Sequence, residues 1–227
     1  MIFLSLPNYG QYEPQSLFTI LGASKKHDVK IFSHTSSMLV DSFNTCWCEM
    51  LNTPDVEYFA MLHADVITEG PWLDTLVDEL EAMELDVLSV VLPLKDEKGI
   101  TSTGILSGDE QVTRLTLSEV SSLSDTFDAD DIGESLGYEG TLLVNTGMWV
   151  AKVGDWMKKF DGFRAHSQIV KKNGLYETLN SPEDWDFSVW CSENGVKVAA
   201  TSLIKAGHVG KKTWRNDQVY GQKSDMG

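Results

Sequence analysis

Basic residues are scarce. The chain has 18 Lys and Arg against 34 Asp and Glu, a formal net charge of −16. That balance excludes nucleic-acid binding by broad phosphate neutralisation, which needs the opposite sign, and leaves room only for a local basic patch on a small phosphate ligand. Cysteine is scarcer still. Cys46, Cys48 and Cys191 are an odd number, and the first two are separated only by Trp47, a spacing that suits neither a zinc knuckle nor a redox Cys-x-x-Cys pair. Free thiols in a reducing compartment are expected. No stretch approaches the roughly 18 uninterrupted apolar residues that a membrane span requires. Residues 1–6 are apolar but carry no basic segment, and Pro7 follows at once, so they read as a buried first strand rather than a secretory leader. A cytoplasmic protein is expected. What is present is a core: 227 residues, 42% hydrophobic and 10% aromatic, suit one domain and exclude disorder, collagen repeats and coiled coil.

Strand-like and helix-like patterns alternate through residues 1–92. Residues 2–6 read as a strand ended by Pro7-Asn8-Tyr9-Gly10, and 15–21 as a helix burying Leu17, Phe18, Ile20 and Leu21. Residues 29–32 read as a strand, and 38–51 as a helix burying Leu39, Phe43, Trp47, Met50 and Leu51. The run 58–62 is apolar on both faces, as in a central strand of a parallel sheet, and stops at His63-Ala64-Asp65. Gly70-Pro71 opens a helix that buries Trp72, Leu73, Leu76, Val77, Leu80 and Met83 and turns Asp74, Asp78, Glu79 and Glu81 to water. Residues 87–92 form a further strand. Residues 95–139, rich in Ser, Thr, Gly and acid, read as a solvated loop or acceptor-side lid. The acidic run 124–131 lacks the alternating ligands, central Gly and terminal Glu of a calcium loop. Regular structure returns at 141–150, interrupted by Asn145-Thr146-Gly147, then as a helix over 182–194 capped by Gly195 and a strand over 196–200. The expected fold is α/β with a mostly parallel central sheet.

In such sheets ligands bind beyond the carboxyl ends of the strands. His63-Ala64-Asp65 lies at such an end, where a carboxylate is held rigidly and partly desolvated. Ser181-Pro182-Glu183-Asp184-Trp185-Asp186-Phe187 interleaves acids with aromatics at a helix start, beyond what simple dipole compensation needs. In Gly207-His208-Val209-Gly210 the small neighbours would admit a ligand, and Lys211 and Lys212 follow.

In this order the clusters resemble the GT-A-fold nucleotide-sugar glycosyltransferases, particularly their small bacterial and phage-type members. Pro7-Asn8-Tyr9 matches a Pro-x-Tyr-like loop, and Asn44 alone matches an Ala-Arg-Asn motif, since Ser42-Phe43 replace its first two residues. His63-Ala64-Asp65 stands where the family has Asp-x-Asp, with His63 in place of the first Asp. Pro93-Leu94-Lys95 matches Pro-x-Lys, Asn145-Thr146-Gly147-Met148-Trp149 the acceptor-side strand, residues 183–187 the Glu-Asp-x-x-Phe motif, and His208-Val209-Gly210 the closing His-x-Gly.

The resemblance implies one Rossmann-like GT-A domain over 1–227, with a nucleotide-binding half at 1–95 and an acceptor-side half at 96–227. It implies transfer of a sugar from a nucleotide-diphosphate donor, a UDP-sugar first, to the hydroxyl of a glycan, protein side chain, lipid-linked sugar or modified nucleobase. Pro7, Asn8, Tyr9, Asn44, His63 and Ala64 would line the nucleotide-sugar, and Lys211 or Lys212 would steady the diphosphate. Asp65 and His208 would hold Mn²⁺, or Mg²⁺, to neutralise the leaving group. Asp184 is the expected general base of an inverting displacement, with Glu183 the second candidate; in a retaining enzyme the same acid would position the acceptor. Two other readings stand beside this one: a non-catalytic GT-A-like module that binds glycan or a partner, and a sugar nucleotidyltransferase, whose basic Gly-rich loop after the first strand is absent here.

Overall fold

The computed structural model describes residues 1–108 and 111–221. The first half runs β1 (Ile2–Asn8), α1 (Ser16–Leu21), β2 (Val29–Thr35), α2 (Leu39–Leu51), β3 (Tyr58–Leu62), β4 (Val66–Thr68), α3 (Trp72–Ala82) and β5 (Val87–Val90). Then come β6 (Ile100–Leu106), β7 (Val112–Thr116), α4 (Leu117–Val120), β8 (Thr126–Phe127), α5 (Ala129–Leu136), β9 (Thr141–Leu143) and β10 (Met148–Lys152). The chain closes with β11 (His166–Lys172), β12 (Leu175–Ser181), α6 (Glu183–Glu193), β13 (Val198–Thr201), β14 (Ala206–Val209) and β15 (Thr213–Arg215).

A seven-stranded sheet in the order β2-β1-β3-β10-β5-β13-β8 forms the centre. The fold is mixed α/β, and the expected mostly parallel sheet is corrected. Pairs β1–β2, β1–β3 and β5–β13 are parallel, whereas β3–β10, β5–β10 and β8–β13 are antiparallel. A strand buried on both faces reads as one apolar run whichever way it points, so the run pattern of β10 could not disclose its direction.

Alternation sorts each central strand between two cores. Ile2, Leu4, Leu6, Ala60, Leu62, Met148 and Val150 pack with Trp72, Leu76 and Leu80 of α3 on one face. Phe3, Phe59, Met61 and Trp149 pack with Phe43 and Trp47 of α2 and Phe187 of α6 on the other, an aromatic core joined by Phe160 and Phe163. All three cysteines are free, Cys46 and Cys191 buried and Cys48 exposed.

Three expectations fail for identifiable reasons. In α1 the buried residues are Ser16 and Thr19, while Leu17, Phe18 and Leu21 are exposed. Thr19 explains this: its Oγ1 donates to the Thr68 carbonyl (3.0 Å) and accepts from the Thr68 amide (2.9 Å), while its own carbonyl accepts from Trp72 Nε1 (3.0 Å). In α3, Asp74 is buried and Met83 is exposed. Asp74 accepts from Ser24 Oγ (2.5 Å) and from the Lys25 amide (2.8 Å), tying the loop before β2 to the helix. The supposed loop at 95–139 carries β6, β7, β8 and two capped helices. Thr101 and Thr103 are inward-facing strand residues, and the acidic run hides β8 and the capping box of α5, where Asp128 caps the amides of Asp130 and Asp131. Hydroxyls and acids used internally read as loop in a sequence. The β11–β12 hairpin, which no pattern announced, projects with Ile169, Leu175, Tyr176 and Leu179 exposed.

Candidate active site

Asp65 follows β3, and two features bring His208 to it. Strand β14 pairs antiparallel with β4, placing His208 opposite Val66, and the Val209 amide donates to the Asp65 carbonyl (2.8 Å). His208 Nε2 then lies 3.5 Å from Asp65 Oδ1, while Lys95 Nζ ion-pairs with Asp65 Oδ2. Burial alone would raise the Asp65 pKa. The hydrogen bonds from His208 and Lys95 outweigh it and hold the carboxyl well below the usual range. The glycines beside His208 serve packing: a Cβ on Gly207 would meet Thr213 Cγ2 at 2.7 Å, and one on Gly210 would meet the Lys95 stem at 3.2 Å.

Two cavities adjoin at His63. The first, about 360 Å³, is lined by Pro7, Asn8, Tyr9, His63, Ala64 and Asp65 among others. The second, about 200 Å³, is lined by His63, His208, Glu183, Asp184, Arg114 and the 145–147 loop among others. Burial pushes His63 down to about 4, so its ring is neutral between the cavities, with Nε2 lacking a hydrogen-bond partner among the described residues. Asn8 braces its own loop: Oδ1 accepts from the Gly10 amide (2.7 Å) and Thr35 Oγ1 (2.8 Å), and Nδ2 donates to Tyr12 Oη (2.8 Å). Tyr9 overhangs, and burial together with Glu183 and Asp65 raises its phenol pKa.

Asp184 and Glu183 open α6, and Asp184 Oδ1 accepts from the Trp185 amide at 2.9 Å. Burial and then the Glu183 charge push the Asp184 carboxyl up to about 7, against the opposing pull of the Trp185 amide and Arg114.

Asn44 and Lys211 line neither cavity. The Asn44 side chain holds Phe163, accepting from its amide (2.8 Å) and donating to its carbonyl (3.0 Å), and Lys211 is exposed. Lys212 pairs with Glu97 and lies 3.9 Å above the Trp214 ring. The cation beside Asp65 is Lys95, already marked by its Pro-x-Lys setting. Arg114 had no sequence signal because its strand resembled a loop.

A divalent ion fits this arrangement. The Nδ1 atom of His208 lies 3.1 Å from the Pro93 carbonyl, which can only accept, so Nδ1 carries a proton and Nε2 is the atom turned toward Asp65, a donor to the carboxylate when it bears a proton and a lone pair for a metal when it does not. Once Nε2 has given up its proton, it and Asp65 Oδ1, 3.5 Å apart, suit adjacent positions on an oxygen- and nitrogen-ligated cation. No third His, Cys, Asp or Glu joins them among the described residues. Further positions would fall to ligand oxygens and water.

No family model matches the chain, and no curated protein matches it. Among solved structures it is similar to A197 from STIV, with 16% identity, coverage of 98% of this chain and 97% of that one, and a TM-score of 0.56. That likeness shows a shared fold. The CMP:2-keto-3-deoxy-manno-octonic acid synthetase complexed with CTP is 8% identical over 93% of both chains, at a TM-score of 0.48, too low to carry an argument. No helix among the described residues is long and apolar enough to cross a membrane.

Proposed function

We propose that the protein is a nucleotide-sugar glycosyltransferase whose residues 1–95 bind the donor and whose residues 96–227 bind the acceptor. One observation carries this reading: two cavities meet at a shared neutral His63, one lined by Asp65, whose carboxylate pairs with Lys95, and the other lined by His208 and the half-buried Asp184 carboxyl. Donor diphosphate lies against Asp65, Lys95 and His208. A Mn²⁺ or Mg²⁺ ion held by Asp65 and His208 would supply charge neutralisation for the departing diphosphate. Lys95 sits where it can move from Asp65 to a phosphate oxygen. In the second cavity Asp184 takes the proton of the acceptor hydroxyl, a task suited to a carboxyl held near neutrality. Glu183 keeps the local field negative, which favours the oxocarbenium-like transition state.

Thermal shift with UDP, GDP, CDP and dTDP, and with their triphosphates, each with and without Mn²⁺, tests this, because a ligand of the folded state raises its melting temperature. A Mn²⁺-dependent rise with one diphosphate, lost in Asp65→Ala, is the expected result. Preference for a triphosphate would favour a nucleotidyltransferase, and no response to any nucleotide a glycan- or partner-binding module. Asp184→Asn should abolish transfer and leave nucleotide affinity near wild type; a large loss of affinity would make Asp184 a binding residue.

A further inference from the structure

The chain has three arginines. Two are matched to neighbouring aspartates, Arg164 to Asp161 and Arg215 to Asp217. Arg114 forms no ion pair with a carboxylate among the described residues, although it lines the second cavity beside Asp184. Its guanidinium lies 4.5 Å over the Trp185 ring, and Nη1 donates to the Thr101 carbonyl at 3.3 Å. These contacts fix the plane of the group and engage one of its five N–H donors. Burial lowers the Arg114 pKa against the opposing pull of Asp184 and Asp96, neither of which reaches the guanidinium as an ion pair. A half-buried guanidinium with most of its donors free and open cavity beside it points to a partner that arrives with the ligand. A group serving only to draw down the Asp184 pKa would sit in contact with that carboxyl. Here no ion pair forms between them, and Asp184 stays high.

We propose that the sugar unit held in the second cavity carries an anionic group, a carboxylate or a phosphate, gripped by the Arg114 fork. The guanidinium presents parallel N–H bonds to two oxygens of such a group, a match that neutral hydroxyls do not offer. At about 200 Å³ the cavity is smaller than the sites of drug-sized ligands, so it takes one small unit rather than an oligomer. The inference rests on reading this cavity as the sugar side of a transferase, and it narrows the substrates to acidic or phosphorylated sugars.

Calorimetric titration of the full chain with glucuronate, glucose 6-phosphate and glucose, each alone and with saturating nucleoside diphosphate, tests it. One of the two anions should bind at least tenfold more tightly than glucose, and which one wins names the group. In Arg114→Gln the preference should fall below twofold, with circular dichroism verifying the fold. Equal affinities for the three sugars in the wild-type chain overturn the inference whether or not the variant folds, as does a preference that survives in Arg114→Gln. Nucleotide binding without anion preference sinks this inference alone. Anion preference without any nucleotide binding sinks the transferase reading and leaves the Arg114 site standing.

Discussion

Asp184 owes its chemistry to its surroundings. In the unfolded chain its carboxyl titrates near 3.8, whereas the folded protein holds it near 7. Between those values the unfolded state has released this proton and the native state has kept it. Stability contributed by this group therefore falls as pH rises from about 4 to 7 and levels off above. Melting curves across that range should show the decline in the wild-type chain and a flatter profile with a higher melting temperature at pH 7 in Asp184→Asn. Transfer should follow the opposite limb, rising through about pH 7 as the base loses its proton. Of the candidate site, the sequence marked Asp65 just past β3 and Glu183 and Asp184 at the start of α6 by chain position, and His208, inside β14, by its glycine-flanked motif. Arg114 was not legible. Its place beside the second cavity comes from the contact of Arg114 on β7 with Trp185 on α6, a long-range contact that no local pattern records.

At the scale of elements, the sequence conveyed apolar periodicity well and internal polar bonding poorly. Helices α2, α3 and α6 were readable from their stripes and breakers, whereas α1 showed an apolar face that the fold turns outward because Thr19 is bonded inward. Asp74 likewise looks like a solvated helix acid but holds a loop. Asp74→Ala leaves the Lys25 amide and Ser24 hydroxyl without their acceptor and should cost about 2 kcal/mol in denaturant unfolding. The β11–β12 hairpin is the reverse case, regular but scarcely packed. A two-stranded ribbon is marginally stable on its own in water. Amide exchange over residues 166–181 should therefore outpace exchange in β1, β3 and β10 by orders of magnitude, and equal protection would show that something covers the ribbon.

For the molecule as a whole, the position of β10 matters most. It separates β3 from β5, so the strands of the proposed donor half do not form one continuous sheet until a strand from beyond residue 95 inserts between them. The proposed division at 95 is thus not a division of folding. Expressed alone, residues 1–95 should lack a cooperative unfolding transition, and the same fragment mixed with residues 96–227 should regain one. There is a consequence in time. Pairings between distant stretches of chain are slow to form, since a large loop must close before any contact rewards it. On the ribosome, the cleft that would receive the first substrate is lined by residues 7–65, yet the sheet behind it stays unfinished until Met148–Lys152 has followed. Through that interval the edges of β3 and β5 stand open, and the nascent chain is exposed to misassembly at what becomes the centre of the sheet.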